Sequence, residues 1–158
     1  MGRRKKLEET PTHDLSELQN EDVLIGSGSF YKGNENLLRD EAQIKWTPEM
    51  VDELKVCAKK INHFAENYFY IVTEDGKQKI SLYKYQKALL KAFVNNRFNV
   101  VLSSRQSGKT TTITIYALWM VCFQSDKRIT IVANKEDTAK EIFARIKMSF
   151  EQLPIWMK

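Results

Sequence analysis

The chain has 158 residues, 25 Lys/Arg against 20 Asp/Glu for a formal net charge of +5, and an apolar fraction of 42%. That length suits one compact domain or a piece of a larger one, with enough apolar residues for an ordinary core. No run approaches the roughly 18 consecutive apolar residues of a membrane span, and Arg3-Arg4-Lys5-Lys6 leads into Leu7-Glu8-Glu9 rather than a signal h-region, so the chain reads as soluble and intracellular.

The charge is uneven. Residues 1–45 hold 7 Lys/Arg and 9 Asp/Glu, so the positive excess belongs to residues 46–158. A basic segment is compatible with a phosphate-rich partner, and equally with a solvated surface. Cys57 and Cys122 have no Cys or His at ligand spacing, which rules out a zinc knuckle, argues against a disulfide scaffold and leaves both as core-filling residues.

In chain order, residues 1–45 contain only 13 apolar residues and the turn-prone run Gly26-Ser27-Gly28-Ser29. They read as an irregular arm, mobile or docked on something else, with short helical turns near Leu15–Leu18 and Leu37–Ile44. Order is expected from Trp46. Thr47-Pro48-Glu49 is a helix start, with Thr47 as N-cap and Pro48 at the first helical position. Val51, Leu54 and Ala58 follow at helical spacing. A second helix runs from Ile61 to about Tyr70, with Phe64 and Tyr68 one turn apart. Thr73-Glu74-Asp75-Gly76 is a turn. Leu82-Tyr83-Lys84-Tyr85-Gln86 leads into a helix with Leu89, Leu90 and Phe93 on one side, ended by Asn95-Asn96.

Then the pattern changes. Residues 98–102 (Phe-Asn-Val-Val-Leu) read as a buried strand. Residues 103–108 are a polar loop. Residues 110–122 read as a helix apolar on most sides, and residues 129–133 (Ile-Thr-Ile-Val-Ala) as a second buried strand. Asn134 is placed to cap a helix from Lys135 to about Gln152, with Ala139, Ile142, Phe143 and Ile146 inward and Pro154 as its stop. Strand, loop, helix, strand, helix is the opening of an α/β parallel sheet flanked by helices, the P-loop NTPase class.

The string Ser103-Ser104-Arg105-Gln106-Ser107-Gly108-Lys109-Thr110-Thr111 carries the chemistry. It fits the phosphate-loop pattern G-x-x-x-x-G-K-[ST] except that Ser103 stands at the first Gly. A loop between a strand and a helix N-terminus aims unpaired N–H groups and the positive end of the helix dipole at nucleotide phosphates. Gly108 permits close backbone approach, Lys109 supplies a point charge at the β- and γ-phosphates, and the Thr110 hydroxyl is offered to Mg²⁺. Upstream, Gln86 beside Tyr83 and Tyr85 is suited to the edge and face of adenine.

Tyr83-Lys84-Tyr85-Gln86, Asn96-Arg97-Phe98 and Ser104-Arg105-Gln106-Ser107-Gly108-Lys109-Thr110-Thr111 together resemble the ATPase domain of the large terminase subunit of T-even-type tailed phages. His63-Phe64 with Tyr68, and residues 131–135, also fit, so the resemblance spans roughly residues 46–158 as part of the ATPase domain, with 1–45 as the arm. It implies a motor that couples ATP hydrolysis to translocation of double-stranded DNA into the capsid. It implies Lys109 and Arg105 as catalytic, Arg105 being the cis-acting arginine at the γ-phosphate. It assigns ATP to Tyr85, Gln86, Ser104, Gln106, Ser107, Gly108, Lys109, Thr110 and Thr111, with Mg²⁺ held through Thr110. It also implies a portal protein and a small terminase subunit as partners, a homo-oligomeric ring without membrane contact, and residence in the host cytoplasm.

Hydrolysis further needs an acid at a Walker B strand end and a carboxylate that orients water. Residues 129–133 end in Asn134-Lys135, and Glu136 and Asp137 belong to the next helix start, where the dipole favours acids. The resemblance also implies a second domain, an RNase H-like nuclease, and no counterpart of its carboxylates is present in these residues. The chain therefore reads as the N-terminal part of a large terminase, ending within the ATPase domain, and alone is expected to bind nucleotide weakly with negligible turnover. Two other readings stay open: a piece of a superfamily 2 helicase or translocase, and a non-catalytic nucleotide-binding module. A face of Lys84, Lys87 and Lys91 could meet DNA.

Overall fold

A computed structural model of the chain describes residues 15, 23–25, 30–74 and 76–158. Four short strands come first: β1 (Leu24–Ile25), β2 (Phe30–Tyr31), β3 (Asn34–Leu38) and β4 (Gln43–Ile44). Two helices, α1 (Pro48–Lys59) and α2 (Ile61–Tyr68), precede a hairpin of β5 (Tyr70–Thr73) and β6 (Gly76–Lys79). Helices α3 (Lys84–Asn95), α4 (Lys109–Phe123) and α5 (Glu136–Glu151) follow, and a 3-10 turn at Ile155–Met157 closes the order. Pairing is antiparallel throughout the described residues: β1 with β4, β2 with β3, β5 with β6.

The arm differs from expectation. Leu37–Ile44 is not a helical turn, because its ends are taken up by β3 and β4. Lys32 and Gly33 both have positive φ and reverse the chain between β2 and β3, a turn geometry that commits the flanks to strand pairing. Of Leu15–Leu18, only Leu15 lies within the described residues. The segment also docks on the rest of this chain. Val23 and Leu24 are buried in the main core, Lys45 donates its N–H to the Val23 carbonyl at 2.8 Å, and the Trp156 indole N–H reaches the Leu15 carbonyl at 3.2 Å.

The helices start and stop where local chemistry dictates. Thr47 Oγ1 accepts the Met50 N–H at 3.3 Å ahead of Pro48, satisfying one orphan donor of α1. The buried face of α1 is Met50 and Cys57, whereas Val51 is exposed and Leu54 and Ala58 are half-buried. The rotation follows from α4, whose Trp119 indole donates to the Cys57 carbonyl at 2.9 Å and covers that side. In α2, Phe64 and Tyr68 are buried one turn apart, as the spacing requires. Phe64 meets Phe123 edge-on, Tyr68 meets Trp156 edge-on, and Trp119 stacks on Tyr116. This aromatic chain joins α2, α4 and the final turn into one core.

Helix α4 buries Thr112, Thr114, Ile115, Ala117, Leu118 and Trp119, which matches its apolar sequence. Thr112 and Thr114 satisfy their buried hydroxyls on the Gly108 and Thr110 carbonyls one turn back. Helix α5 begins at Glu136 with Lys135, not Asn134, at its cap. Its expected inward face is largely open: Phe143 is exposed, and Ala139, Ile142 and Ile146 are half-buried.

The two segments expected as buried strands, 98–102 and 129–133, carry no strand pairing among the described residues. Phe98, Val100, Leu102 and Val132 are 81%, 100%, 99% and 88% exposed. A buried strand requires neighbours at its edges and faces, and here none of the described elements supplies them. No helix among the described residues is long and apolar enough to cross a membrane.

Candidate functional site

The polar loop lies between residue 102 and the N-terminus of α4. Gly108 is the N-cap of α4 in left-handed geometry (φ 72°, ψ 18°), a conformation that disfavours any residue with a Cβ. A Cβ at Gly108 would stand 2.5 Å from Gln86 Nε2, so glycine here permits close approach as well as the turn. Gln106 also has positive φ, at 59°.

Side chains close the loop on itself. Ser107 Oγ donates to the Ser104 carbonyl at 3.0 Å and lies 3.0 Å from Ser103 Oγ. The Lys109 ammonium curls over the loop, donating to the Ser103 carbonyl at 3.3 Å and to the Ser104 carbonyl. Ser103, the residue in place of the usual first glycine, thus contributes both carbonyl and hydroxyl to the loop's internal bonding. Arg105 and Gln106 are exposed in the loop's turn, and Thr110 and Thr111 are half-buried in the first turn of α4.

The segment before α3 meets this loop directly. Gln86 is buried, and its Oε1 accepts the Tyr83 N–H at 3.0 Å, closing the first turn of α3. Its amide nitrogen faces Gly108. The Tyr85 hydroxyl donates to the Ser107 carbonyl. The exposed rings of Tyr83 and Tyr85 lie parallel, 5.8 Å apart. A cleft of about 330 Å³ opens beside them, lined by Tyr83, Gln86, Thr111 and the β5–β6 hairpin through Ile71, Gln78, Lys79 and Ile80.

The structure therefore brings together Tyr85, Gln86, Ser104, Ser107, Gly108 and Lys109. It gives Tyr83 to the cleft and Tyr85 to the loop, a division between the two aromatics that the sequence left open. The hairpin wall was missed by the sequence reading, although Tyr70–Thr73 is a run of β-formers with Asp75-Gly76 after it, a usable hairpin signal. On the basic face, Lys87 is engaged with Glu66 at 2.6 Å, while Lys84 and Lys91 are exposed.

Residues 100–153 match the family model for the terminase large subunit, T4likevirus-type, N-terminal. The match begins ahead of the phosphate loop and runs through α4 and α5 to Leu153, so it contains Lys109 and Thr110. Over that stretch the chain is similar to the N-terminal part of a T4-type terminase large subunit. The Gln86 segment and the hairpin lie outside the matched residues.

Proposed function

We propose that this chain is the nucleotide-binding portion of a terminase motor that couples ATP hydrolysis to movement of double-stranded DNA into a capsid. One observation carries the reading: the phosphate-loop signature sits at the N-terminus of α4 with Gln86 and Tyr85 locked against it. The loop residues fit a triphosphate, because a glycine-only cradle, a lysine and the free N–H groups of a helix start converge there. The cleft beside Gln86 is sized for a base and continuous with Thr111, so base and phosphates would occupy one surface.

In this reading Lys109 exchanges its loop carbonyls for the β- and γ-phosphates, while Thr110 supports Mg²⁺ with its hydroxyl. Bound there, Mg²⁺ would supply positive charge against that developing on the transferred phosphoryl group. Arg105, exposed at the turn, is free to reach the γ-phosphate. Gln86 keeps its oxygen on Tyr83 and offers its amide N–H₂ to the base, and Tyr85 holds Ser107 in place. Ser104, Gln106, Ser107, Gly108 and Thr111 supply backbone and hydroxyl contacts. In the assembled motor of this reading, the apolar segments 98–102 and 129–133, exposed in this chain, would be covered by pairing in a parallel sheet of the P-loop type. Portal protein, small terminase subunit and a ring of copies are the partners that go with the motor.

The test is binding of a fluorescent ATP analogue to the 158-residue chain with Mg²⁺. The expected result is weak, saturable binding that Lys109→Ala lowers at least tenfold and negligible turnover. Gln86→Ala should erase the preference for adenine over guanine nucleotides while retaining phosphate-dependent binding. Binding indifferent to Lys109→Ala would overturn the reading.

A further inference from the structure

Outside the loop, the α1–α2 helical pair gathers three side chains of metal-binding type. Glu53 and Cys57 are four residues apart on α1 and so share one face. One residue, Lys60, separates α1 from α2, and the reversal brings His63 of the first turn of α2 onto that face. His63 Nε2 lies 2.7 Å from Glu53 Oε1, and Cys57 Sγ lies 3.6 Å from the same oxygen. All three donor atoms are within 4.8 Å of one another. A tetrahedral ion with ligand bonds of about 2.0–2.3 Å holds its donors roughly 3.3–3.8 Å apart, and the observed separations straddle that edge.

We propose that Glu53, Cys57 and His63 form a site for a divalent cation that accepts nitrogen and sulfur, Zn²⁺ foremost, with water in the fourth position. A thiolate, an imidazole and one carboxylate select against Mg²⁺ and Ca²⁺, which take all-oxygen shells. The site is therefore separate from any metal held through nucleotide at Thr110. Cys57 is buried, while Glu53 and His63 are half-buried, so the fourth position opens outward.

The surroundings hold the ligands still. Trp119 bonds the Cys57 carbonyl, and Asn67 bonds both the His63 carbonyl at 2.9 Å and His63 Nδ1 at 3.2 Å. Contacts of this kind orient first ligands and set their tautomers. A neutral His63 that accepts from Asn67 at Nδ1 carries its ring proton on Nε2, facing Glu53. On binding, the cation replaces that proton, which transfers to Nδ1, and the Asn67 amide turns its oxygen to accept it. The Cys57 thiol gives its proton to solvent, so one proton leaves per ion bound. The sequence hid the site because Cys57 and His63 lack knuckle spacing and Glu53 joins them only once α1 has formed.

The test is a titration of the full 158-residue chain with Co²⁺, a visible stand-in for Zn²⁺, in excess Mg²⁺. One equivalent should produce tetrahedral d–d bands and a sulfur-to-cobalt charge-transfer band, both removed by added Zn²⁺. Cys122→Ser should retain the bands, whereas Cys57→Ser should abolish the charge transfer. His63→Asn, at a half-exposed position that tolerates change, should weaken Co²⁺ binding at least tenfold even if Cys57→Ser fails to fold. A merely structural Glu53–His63 hydrogen bond predicts no bands. Absence of the bands up to millimolar Co²⁺, a charge-transfer band that survives in Cys57→Ser, or Co²⁺ affinity unchanged in His63→Asn would overturn the proposal.

Discussion

At Gly108 two separate constraints meet. The positive φ penalises a Cβ by about 1–2 kcal/mol, and the added carbon would press on Gln86 Nε2, the amide of a buried side chain whose oxygen is tied to Tyr83. Gly108→Ala is therefore expected to lower unfolding free energy by at least about 1 kcal/mol in urea titration and to weaken nucleotide binding together with stability. Gln86→Ala, by contrast, removes the obstacle, so the double variant should lose less stability than the sum of the singles. At Cys122, burial pushes the thiol up to about 12, opposed in part by Lys158. The folded state keeps this proton after the unfolded chain has lost it, above about pH 8.5. The contribution is complete below that value and drains away as pH rises toward the folded pKa. Relative to Cys122→Ser, the wild type should lose stability between pH 8 and 10 in parallel denaturation series. A constant difference would show that the thiol ionises alike in both states.

Among the elements, α4 is the organiser. Its Trp119 spans to α1, its Phe123 meets α2, and its first turn carries the loop that faces α3. Trp119→Phe removes a buried hydrogen bond and part of a ring, and should cost about 1–3 kcal/mol by chemical denaturation. The effect should reach the loop, since α4 would lose its anchor on α1. Helix α1 is secured more locally: Thr47→Ala deletes the bond to Met50 N–H and should cost about 1 kcal/mol. The β5–β6 hairpin is small, yet it supplies one wall of the cleft, so its integrity bears on the site more than its size suggests. Helix α5 presents Phe143 and Met148 to solvent, which marks a face without a partner among the described elements.

At the scale of the molecule, the exposed apolar side chains of 98–102 and 129–133 are, among the described residues, a clear departure from an ordinary soluble surface. Unpaired, apolar extended segments template association. The chain is expected to self-associate in concentration-dependent light scattering and to bind a hydrophobic dye. Val100→Lys with Leu102→Lys should reduce both with little change in melting temperature, because neither side chain belongs to the core. Unchanged scattering would assign the association to another surface.

Much of this was legible in the sequence. Thr47-Pro48 marks a helix start because capping chemistry is local, and the apolar run after Thr110 becomes α4 because its burial does not depend on which neighbour covers it. The phosphate-loop signature is likewise a short-range code, since spacing alone sets a glycine and lysine at a helix N-terminus. What only tertiary structure decided were relations between distant residues. Tyr85 turned to the loop and Tyr83 to the cleft, α1 buried Met50 and left Val51 exposed, and Val23 entered a core that composition had denied to its segment. Residues 98–102 show the limit most clearly: a β-rich apolar run specifies a preference for pairing, but a strand is completed only by the neighbour that takes its hydrogen bonds and covers its faces.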